Sequence, residues 1–159
     1  MLVMSPRPTP RHQRCIRELE SRLLPQLPDG LESFVDVDLE LVAPDEPGFV
    51  RAPDLVVVTG EAYERVDRKG GLLRAADVVL GVEVISPGSQ RRDRTVKRAE
   101  YADAGIPHYW IVDIHNRVTL TACHLAGEFG HADAGPITGT FTTDTPFPVR
   151  LELDQLIQR

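Results

Sequence analysis

The sequence has few of the residues that mark disulfide-rich, thiolate-metal or membrane proteins. Its 159 residues include two cysteines, Cys15 and Cys123, which form no CxxC pattern and argue against a disulfide framework. No apolar run approaches the roughly 20 residues that a membrane-spanning helix needs. The N-terminus also lacks the apolar segment of a secretory signal peptide. We therefore expect a cytoplasmic protein that does not bind membranes.

Lysine is also scarce, because Lys69 and Lys97 are the only lysines among 18 basic residues. A formal net charge of −6 argues against a general nucleic-acid binder. Basic residues nevertheless concentrate in one short segment, where they could form a local basic surface. They are Arg91, Arg92, Arg94, Lys97 and Arg98. The length and a hydrophobic content of 42% predict one globular domain over residues 1–159.

The N-terminal part of the chain predicts a helix. Thr9 can cap the helix, and Pro10 suits its first position. Apolar residues then recur at helical spacing up to about Leu24. His12 falls on this apolar stripe, so the simpler interpretation is a half-buried structural histidine.

Three strands are predicted next. Residues 34–42 alternate between apolar and acidic side chains, which is typical of a strand with one wet face. We interpret the acidic face as solvated surface in preference to a cation site; its members are Asp36, Asp38 and Glu40. Residues 51–59 and 78–86 predict two more strands with apolar interiors.

The remaining segments complete an α/β pattern. A helix is predicted to about Ala104, followed by strands over residues 109–112 and 117–124. Residues 126–145 predict a loop with one edge strand, and residues 151–157 a terminal helix. This order of elements predicts an α/β fold with a mixed central β-sheet flanked by helices.

Glu83 is the most unusual residue, because it is a carboxylate inside the apolar run 78–85. A buried carboxylate is costly unless it is paired, protonated or bound to a cation. Asp54 lies near the start of the neighbouring predicted strand, and adjacent strands lie about 4.8 Å apart. The two carboxylates could therefore share one Mg²⁺ or Mn²⁺ ion. The alternative is a structural ion pair between Glu83 and an arginine such as Arg51.

Lys97 is predicted on the helix that follows the Glu83 strand. Asp93, Lys97 and Tyr101 are spaced four residues apart and so form one ridge of that helix. A lysine in a chain that otherwise prefers arginine indicates a need for a compact ammonium group. The alternative is a surface ion pair between Asp93 and Lys97, worth a few tenths of a kcal/mol.

Three stretches closely resemble the Uma-type restriction endonuclease family, a bacterial branch of the PD-(D/E)XK nuclease superfamily. They are PDLVVV from Pro53, GVEVISPGSQRRDRTVKRAEYADAGIPHYWIVD from Gly81, and the lead-in VMSPRPTPRHQ, with His12 at the family's histidine position. The resemblance covers residues 2–113. In one departure, the superfamily's E-x-K pattern would place a lysine where this chain has Ile85. The resemblance implies that Lys97, on the following helix, takes that place.

The resemblance implies a restriction-endonuclease-like core and a metal-dependent DNA endonuclease that acts as a homodimer. Asp54 and Glu83 would hold Mg²⁺ or Mn²⁺, and Lys97 would orient or deprotonate the attacking water. Four arginines of the basic segment would contact the DNA backbone, namely Arg91, Arg92, Arg94 and Arg98. Supporting positions around the metal ligands would be His12, Ser86, Asp93 and Tyr101.

Two other functions remain open on the sequence. A catalytically silent module that binds nucleic acid or a protein partner is favoured by Ile85 and by the pI of about 5.3. A phosphohydrolase acting on something smaller than DNA would follow if the basic helix were buried. The combination of Asp54, Glu83 and Lys97 favours the nuclease.

Overall fold

The computed structural model describes residues 9–42, 47–85, 91–127 and 130–159, and for residues 91–93 it describes the backbone alone. In chain order the elements are α1 (Pro10–Leu23), β1 (Leu31–Val35), β2 (Leu39–Leu41), β3 (Phe49–Arg51), β4 (Leu55–Thr59), α2 (Gly60–Lys69), β5 (Leu73–Arg74), β6 (Val78–Ile85), α3 (Arg91–Asp103), β7 (His108–Asp113), β8 (Thr119–Leu125), β9 (His131–Asp133), β10 (Thr140–Thr143) and β11 (Val149–Glu152).

Six of these strands form a central sheet in the order β1–β4–β6–β7–β8–β9. Neighbouring strands are antiparallel except β6 and β7, which run parallel. The segment between β6 and β7 contains α3, in keeping with the crossover that a parallel pair requires. The predicted α/β fold with a mixed, helix-flanked sheet is therefore confirmed. A smaller sheet has the order β3–β2–β5, and β10 pairs with β11.

α1 forms where the sequence predicts it. The Thr9 hydroxyl accepts a hydrogen bond from the His12 backbone N–H at 3.2 Å, and Pro10 occupies the first turn, where no intrahelical donor is needed. Leu19 and Leu23 on the inward stripe are fully buried. The helix thus covers one face of the central sheet.

Apolar clusters pack on both faces of the sheet. On the α1 face the cluster includes Val82 and Trp110. On the other face it includes Tyr109 and, from α3, Tyr101. Adjacent strand residues such as Tyr109 and Trp110 enter different clusters because strand side chains alternate between faces. The central strand β6 is consequently buried on both sides, which sets the environment of Glu83.

The predicted strand over residues 34–42 is wrong. Its residues divide between β1 of the central sheet and β2 of the smaller sheet, with Asp36 in the connection at a φ of +51°. Aspartate is among the few residues that adopt this left-handed conformation readily, and one such residue redirects the strand. The alternating pattern continued across the turn, so it concealed the break. Asp36 does not share a strand with Glu40.

Two further boundaries differ from prediction. Residues 51–59 contain the last residue of β3 and the whole of β4. Pro53 lies between the two strands, where its missing N–H breaks no strand pairing. The predicted terminal helix is instead β11 followed by a short 3₁₀ turn over Leu153–Leu156. Val149 and Leu151 alternate inward as β11 pairs with β10, and Leu153 and Leu156 are fully buried. A run of closely spaced leucines fits either a helix or this arrangement.

The segment 126–145, predicted as a loop with one edge strand, contains β9 and β10. β9 is the edge strand of the central sheet. Across the described ranges, no helix is long and apolar enough to cross a membrane.

Candidate active site

Strand register brings Asp54 and Glu83 to the same level of the sheet. Leu55 pairs with Val82 in the antiparallel β4–β6 ladder, so the preceding residue, Asp54, lies opposite Glu83. Asp54 Oδ2 accepts a hydrogen bond from the Val84 backbone N–H at 2.7 Å. Asp54 thus continues the contact with β6 through its side chain, just before β4 begins.

The Glu83 carboxylate is buried, with 6% of the residue exposed. Its Oε1 accepts a hydrogen bond from the Tyr101 hydroxyl at 2.9 Å. Burial, followed by the nearby Asp54 carboxylate, raises the pKa of Glu83 to about 8. Two carboxylates in one desolvated place repel each other unless a proton or a cation lies between them. A shared proton or a bound cation would each relieve this repulsion.

His12 connects α1 to the same place. Its Nε2 lies 2.9 Å from the Val84 carbonyl oxygen and 3.4 Å from Asp54 Oδ2. Both neighbours are acceptors, so Nε2 carries the proton. The hydrogen bond to Asp54 is the largest effect on the pKa of His12 and raises it, although burial opposes it. His12 is buried more fully than the half-buried position predicted from the apolar stripe, and its Nε2 also contacts the candidate site.

Lys97 and Tyr101 approach from α3, on the opposite face of the sheet from α1. Lys97 is half-buried. After burial and Asp54, which raise the pKa of Glu83, Lys97 exerts the largest opposing effect. Its charge is therefore felt at the carboxylate. The predicted ridge places Tyr101 one turn beyond Lys97, and the Tyr101 hydroxyl reaches Glu83. The side chain of Asp93 and all of Ser86 lie outside the described residues.

The basic segment is only partly described. The side chains of Arg91 and Arg92 lie outside the description, and Arg94 is half-buried. Arg98 Nη2 contacts Asp133 Oδ2 at 2.7 Å and donates to the His131 carbonyl at 2.8 Å. These contacts join α3 to β9, so Arg98 has a structural use that the sequence did not indicate.

Arg51, the alternative partner considered for Glu83, forms a two-point ion pair with another acid. Its Nε and Nη2 each donate to the Glu100 carboxylate at 2.8 Å. The partner of Glu83 with a defined distance is instead the Tyr101 hydroxyl.

Sequence reasoning missed the Val84 backbone. Its N–H donates to Asp54, and its carbonyl lies at hydrogen-bonding distance from His12. The backbone of this one residue therefore contacts both site residues. Main-chain groups carry no sequence signal, and only the strand register could have suggested their position. In the described part of the chain, no group of three or more His, Cys, Asp and Glu side chains is arranged to hold a metal.

Two carboxylates nevertheless fit a magnesium-type site. Mg²⁺ is usually held by one or two carboxylates, with its other positions filled by water and substrate phosphate. The donors Asp54 and Glu83 are hard oxygens, and the raised pKa of Glu83 reflects burial and repulsion from Asp54, which Lys97 offsets only in part. The residues present therefore fit Mg²⁺ or Mn²⁺ better than a closed, protein-only metal cage.

The chain is similar to known nuclease-related proteins. A family model named Uma2, described as a putative restriction endonuclease, matches residues 1–133. The crystal structure of a putative nuclease belonging to DUF820 from Anabaena variabilis ATCC 29413 is 17% identical, with a TM-score of 0.67. The match covers 98% of this chain and 84% of that chain, and it supports the fold assignment. No curated protein matches the chain.

Proposed function

Because the chain belongs to the Uma2 family of putative restriction endonucleases, we propose that it is a divalent-metal-dependent endonuclease that hydrolyses phosphodiester bonds of DNA. Family membership supports the broader assignment, a nuclease of the hydrolase class. The observation that supports the finer proposal is the pairing of Asp54 with the buried Glu83 carboxylate, whose pKa is raised by burial and by Asp54.

Asp54 and Glu83 would hold Mg²⁺ or Mn²⁺. The bound ion would polarise the phosphate and make water a stronger nucleophile at neutral pH. Tyr101 keeps Glu83 oriented by donating to Oε1, and the Val84 N–H keeps Asp54 oriented by donating to Oδ2. Fixed carboxylates lower the reorganisation that binding and reaction require.

Lys97 would act on the substrate side of Glu83. An ammonium group near the reacting phosphate can offset the negative charge that develops as the phosphodiester bond breaks. It can also orient or deprotonate the attacking water, if its own proton is lost. Lys97 approaches from α3, so the helix supplies the cation that E-x-K nucleases take from the strand.

Cleavage assays with a matched pair of variants test this proposal. The parent, Glu83→Gln and the surface variant Glu32→Gln are incubated with plasmid and linear duplex DNA in Mg²⁺ or Mn²⁺. Glu83→Gln removes a metal-binding charge but little volume, so cleavage should fall at least about 100-fold. Glu32 is exposed on β1, so its variant should cleave like the parent. Normal cleavage by Glu83→Gln would overturn the proposed metal site.

A second candidate function is a catalytically silent nuclease-fold module that binds nucleic acid or a protein partner. The observation favouring it is Ile85, which is almost buried at the strand position where the E-x-K pattern has lysine. This alternative predicts no cleavage by the parent and no metal uptake in calorimetry. Metal uptake without cleavage would instead locate the defect at Lys97 or at substrate binding.

A further inference from the structure

Two arginines at the start of α1 have an unusual set of partners. Arg11 Nη2 donates to the Asn116 carbonyl at 3.5 Å. Arg14 donates to the Gln158 carbonyl through Nε at 3.1 Å and through Nη2 at 2.6 Å. A carbonyl orients a guanidinium without neutralising its charge. The positive charges of both residues therefore remain uncompensated by these contacts.

Most other arginines with defined contacts differ in this respect. Within the described ranges, six of them contact a carboxylate: Arg22 with Glu18, Arg51 with Glu100, Arg65 with Asp77, Arg98 with Asp133, Arg117 with Asp154, and Arg150 with Glu152. Arg11 and Arg14 have no such ion pair with a described residue. On a protein with a net charge of −6, this makes the start of α1 a local source of positive charge.

The start of α1 lies beside the candidate active site. His12, between the two arginines in sequence, contacts the Val84 carbonyl and approaches Asp54. Asn116, the partner of Arg11, lies just after β7, whose last residue Asp113 pairs with the last residue of β6. Arg11 is thus held at the end of the sheet where β6 ends, shortly after Glu83.

The pKa of buried Cys15 reflects the same placement. Burial has the largest effect and raises the pKa of the Cys15 thiol; Asp54 also raises it, whereas Arg11 lowers it. Asp54 and Arg11 therefore both lie close enough to Cys15 to affect its pKa. Arg11 is exposed and Arg14 is half-buried, so the guanidinium groups lie at the surface and not in the buried acid pair.

We propose that Arg11 and Arg14 form a phosphate-contacting surface that positions duplex DNA across the candidate active site. The two residues are one turn apart on α1, separated by a rise of about 4.5 Å, so they can contact neighbouring groups of one polyanionic strand. Contacts of this kind fix the position of a duplex without reading its sequence. This inference rests on the proposed function, and it concerns arginines of α1 in addition to the basic segment of α3 that the sequence indicates.

The salt dependence of DNA binding tests the inference. Binding of a short fluorescein-labelled duplex is measured by anisotropy over a range of salt concentrations, with a chelator present to prevent cleavage. The slope of log affinity against log salt is negative, and each lost phosphate contact lowers its magnitude by about 1. Arg11→Gln should therefore lower the magnitude of the slope by about 1. The double variant, Arg11→Gln with Arg14→Gln, should lower it by about 2. Arg11→Lys should keep the parent slope because it keeps the charge.

Arg150→Gln is the charge-matched control, because Arg150 is exposed and contacts Glu152 on the β10–β11 hairpin. It should keep the parent slope. An equal fall of the slope magnitude in Arg150→Gln would show that the effect follows net charge, and it would overturn the inference. A parent-like slope in Arg11→Gln would also overturn it. Failure of the parent itself to bind duplex DNA would overturn the DNA substrate of the proposed function, and this inference with it.

Discussion

At the scale of single residues, the proposed chemistry depends on a carboxylate in an unfavourable place. Glu83 lies in the buried strand β6, and it accepts a hydrogen bond from the Tyr101 hydroxyl. Burial and Asp54 both disfavour its ionised form. A residue selected for stability alone would be apolar here, because a well-packed apolar side chain avoids the desolvation cost. Packing alone therefore does not explain this carboxylate, whereas the proposed cation site would.

The pH dependence of stability tests this environment directly. In metal-free protein the pKa of Glu83 is raised from 4.5 to about 8, so folded protein retains a proton that unfolded protein releases. The stability that this proton confers is fully present below the unfolded pKa and is lost as pH rises through the folded pKa. The free energy of unfolding should therefore fall between about pH 5 and about pH 8 in urea titrations of the parent.

Glu83→Gln does not titrate, so this part of the pH dependence should disappear and the variant should exceed the parent in stability near pH 9. Glu152→Gln serves as a control, because the Thr140 hydroxyl and then Arg150 lower the pKa of Glu152, in the opposite direction to that of Glu83. That control should keep the fall seen in the parent. An unchanged pH profile in Glu83→Gln would show that Glu83 is not the group responsible.

At the scale of elements, α1 and α3 contribute different kinds of contact from opposite faces of the sheet. α1 brings His12 to the Val84 carbonyl and to Asp54. α3 brings the Tyr101 hydroxyl and the Lys97 charge to Glu83. Strand β6 supplies Glu83, and the Val84 backbone N–H in the same strand donates to Asp54. The site depends on the packing of both helices, although its two acids belong to adjacent positions of one sheet.

Supplying the lysine from α3 has a measurable consequence. In the proposed mechanism Lys97 acts on water and the phosphate, while Asp54 and Glu83 hold the metal. Lys97→Ala should therefore lower kcat about 100-fold or more, with a much smaller change in Mn²⁺ affinity measured by calorimetry. Lys69→Ala is the matched control, since Lys69 is the only other lysine and lies exposed at the end of α2. Equal losses of turnover and metal affinity in Lys97→Ala would indicate a structural role.

At the scale of the whole molecule, the sequence predicted what depends on local pattern. The apolar run around Glu83 identified β6, and the Thr9–Pro10 start identified α1, because burial and capping leave direct signals. It did not predict the break at Asp36, because alternation continued through the turn. Nor could it predict the Arg98–Asp133 ion pair, which joins residues 35 positions apart through the packing of α3 on β9.

The candidate site divides in the same way. Asp54 and Glu83 could be placed together because both belong to predicted neighbouring strands, and the observed register agrees. The contact of His12 with the Val84 carbonyl depends on how α1 crosses the sheet, which no local pattern specifies. The carbonyl partners of Arg11 and Arg14 likewise come from distant parts of the chain. Long-range packing therefore decided which basic residues keep an uncompensated charge.

Metal binding should stabilise the entire fold, because a ligand that binds only the folded state shifts the unfolding equilibrium. At a concentration of Mn²⁺ 100 times its Kd the gain is about 2.7 kcal/mol, or about 5–10 °C in Tm for a chain of this length. Thermal melts of the parent should show this rise, and Asp54→Asn should abolish it. Asp38→Asn provides the control, since Asp38 is an exposed acid of the segment first considered as another cation site. Loss of the rise in Asp38→Asn but not in Asp54→Asn would place the cation at that segment, away from β6.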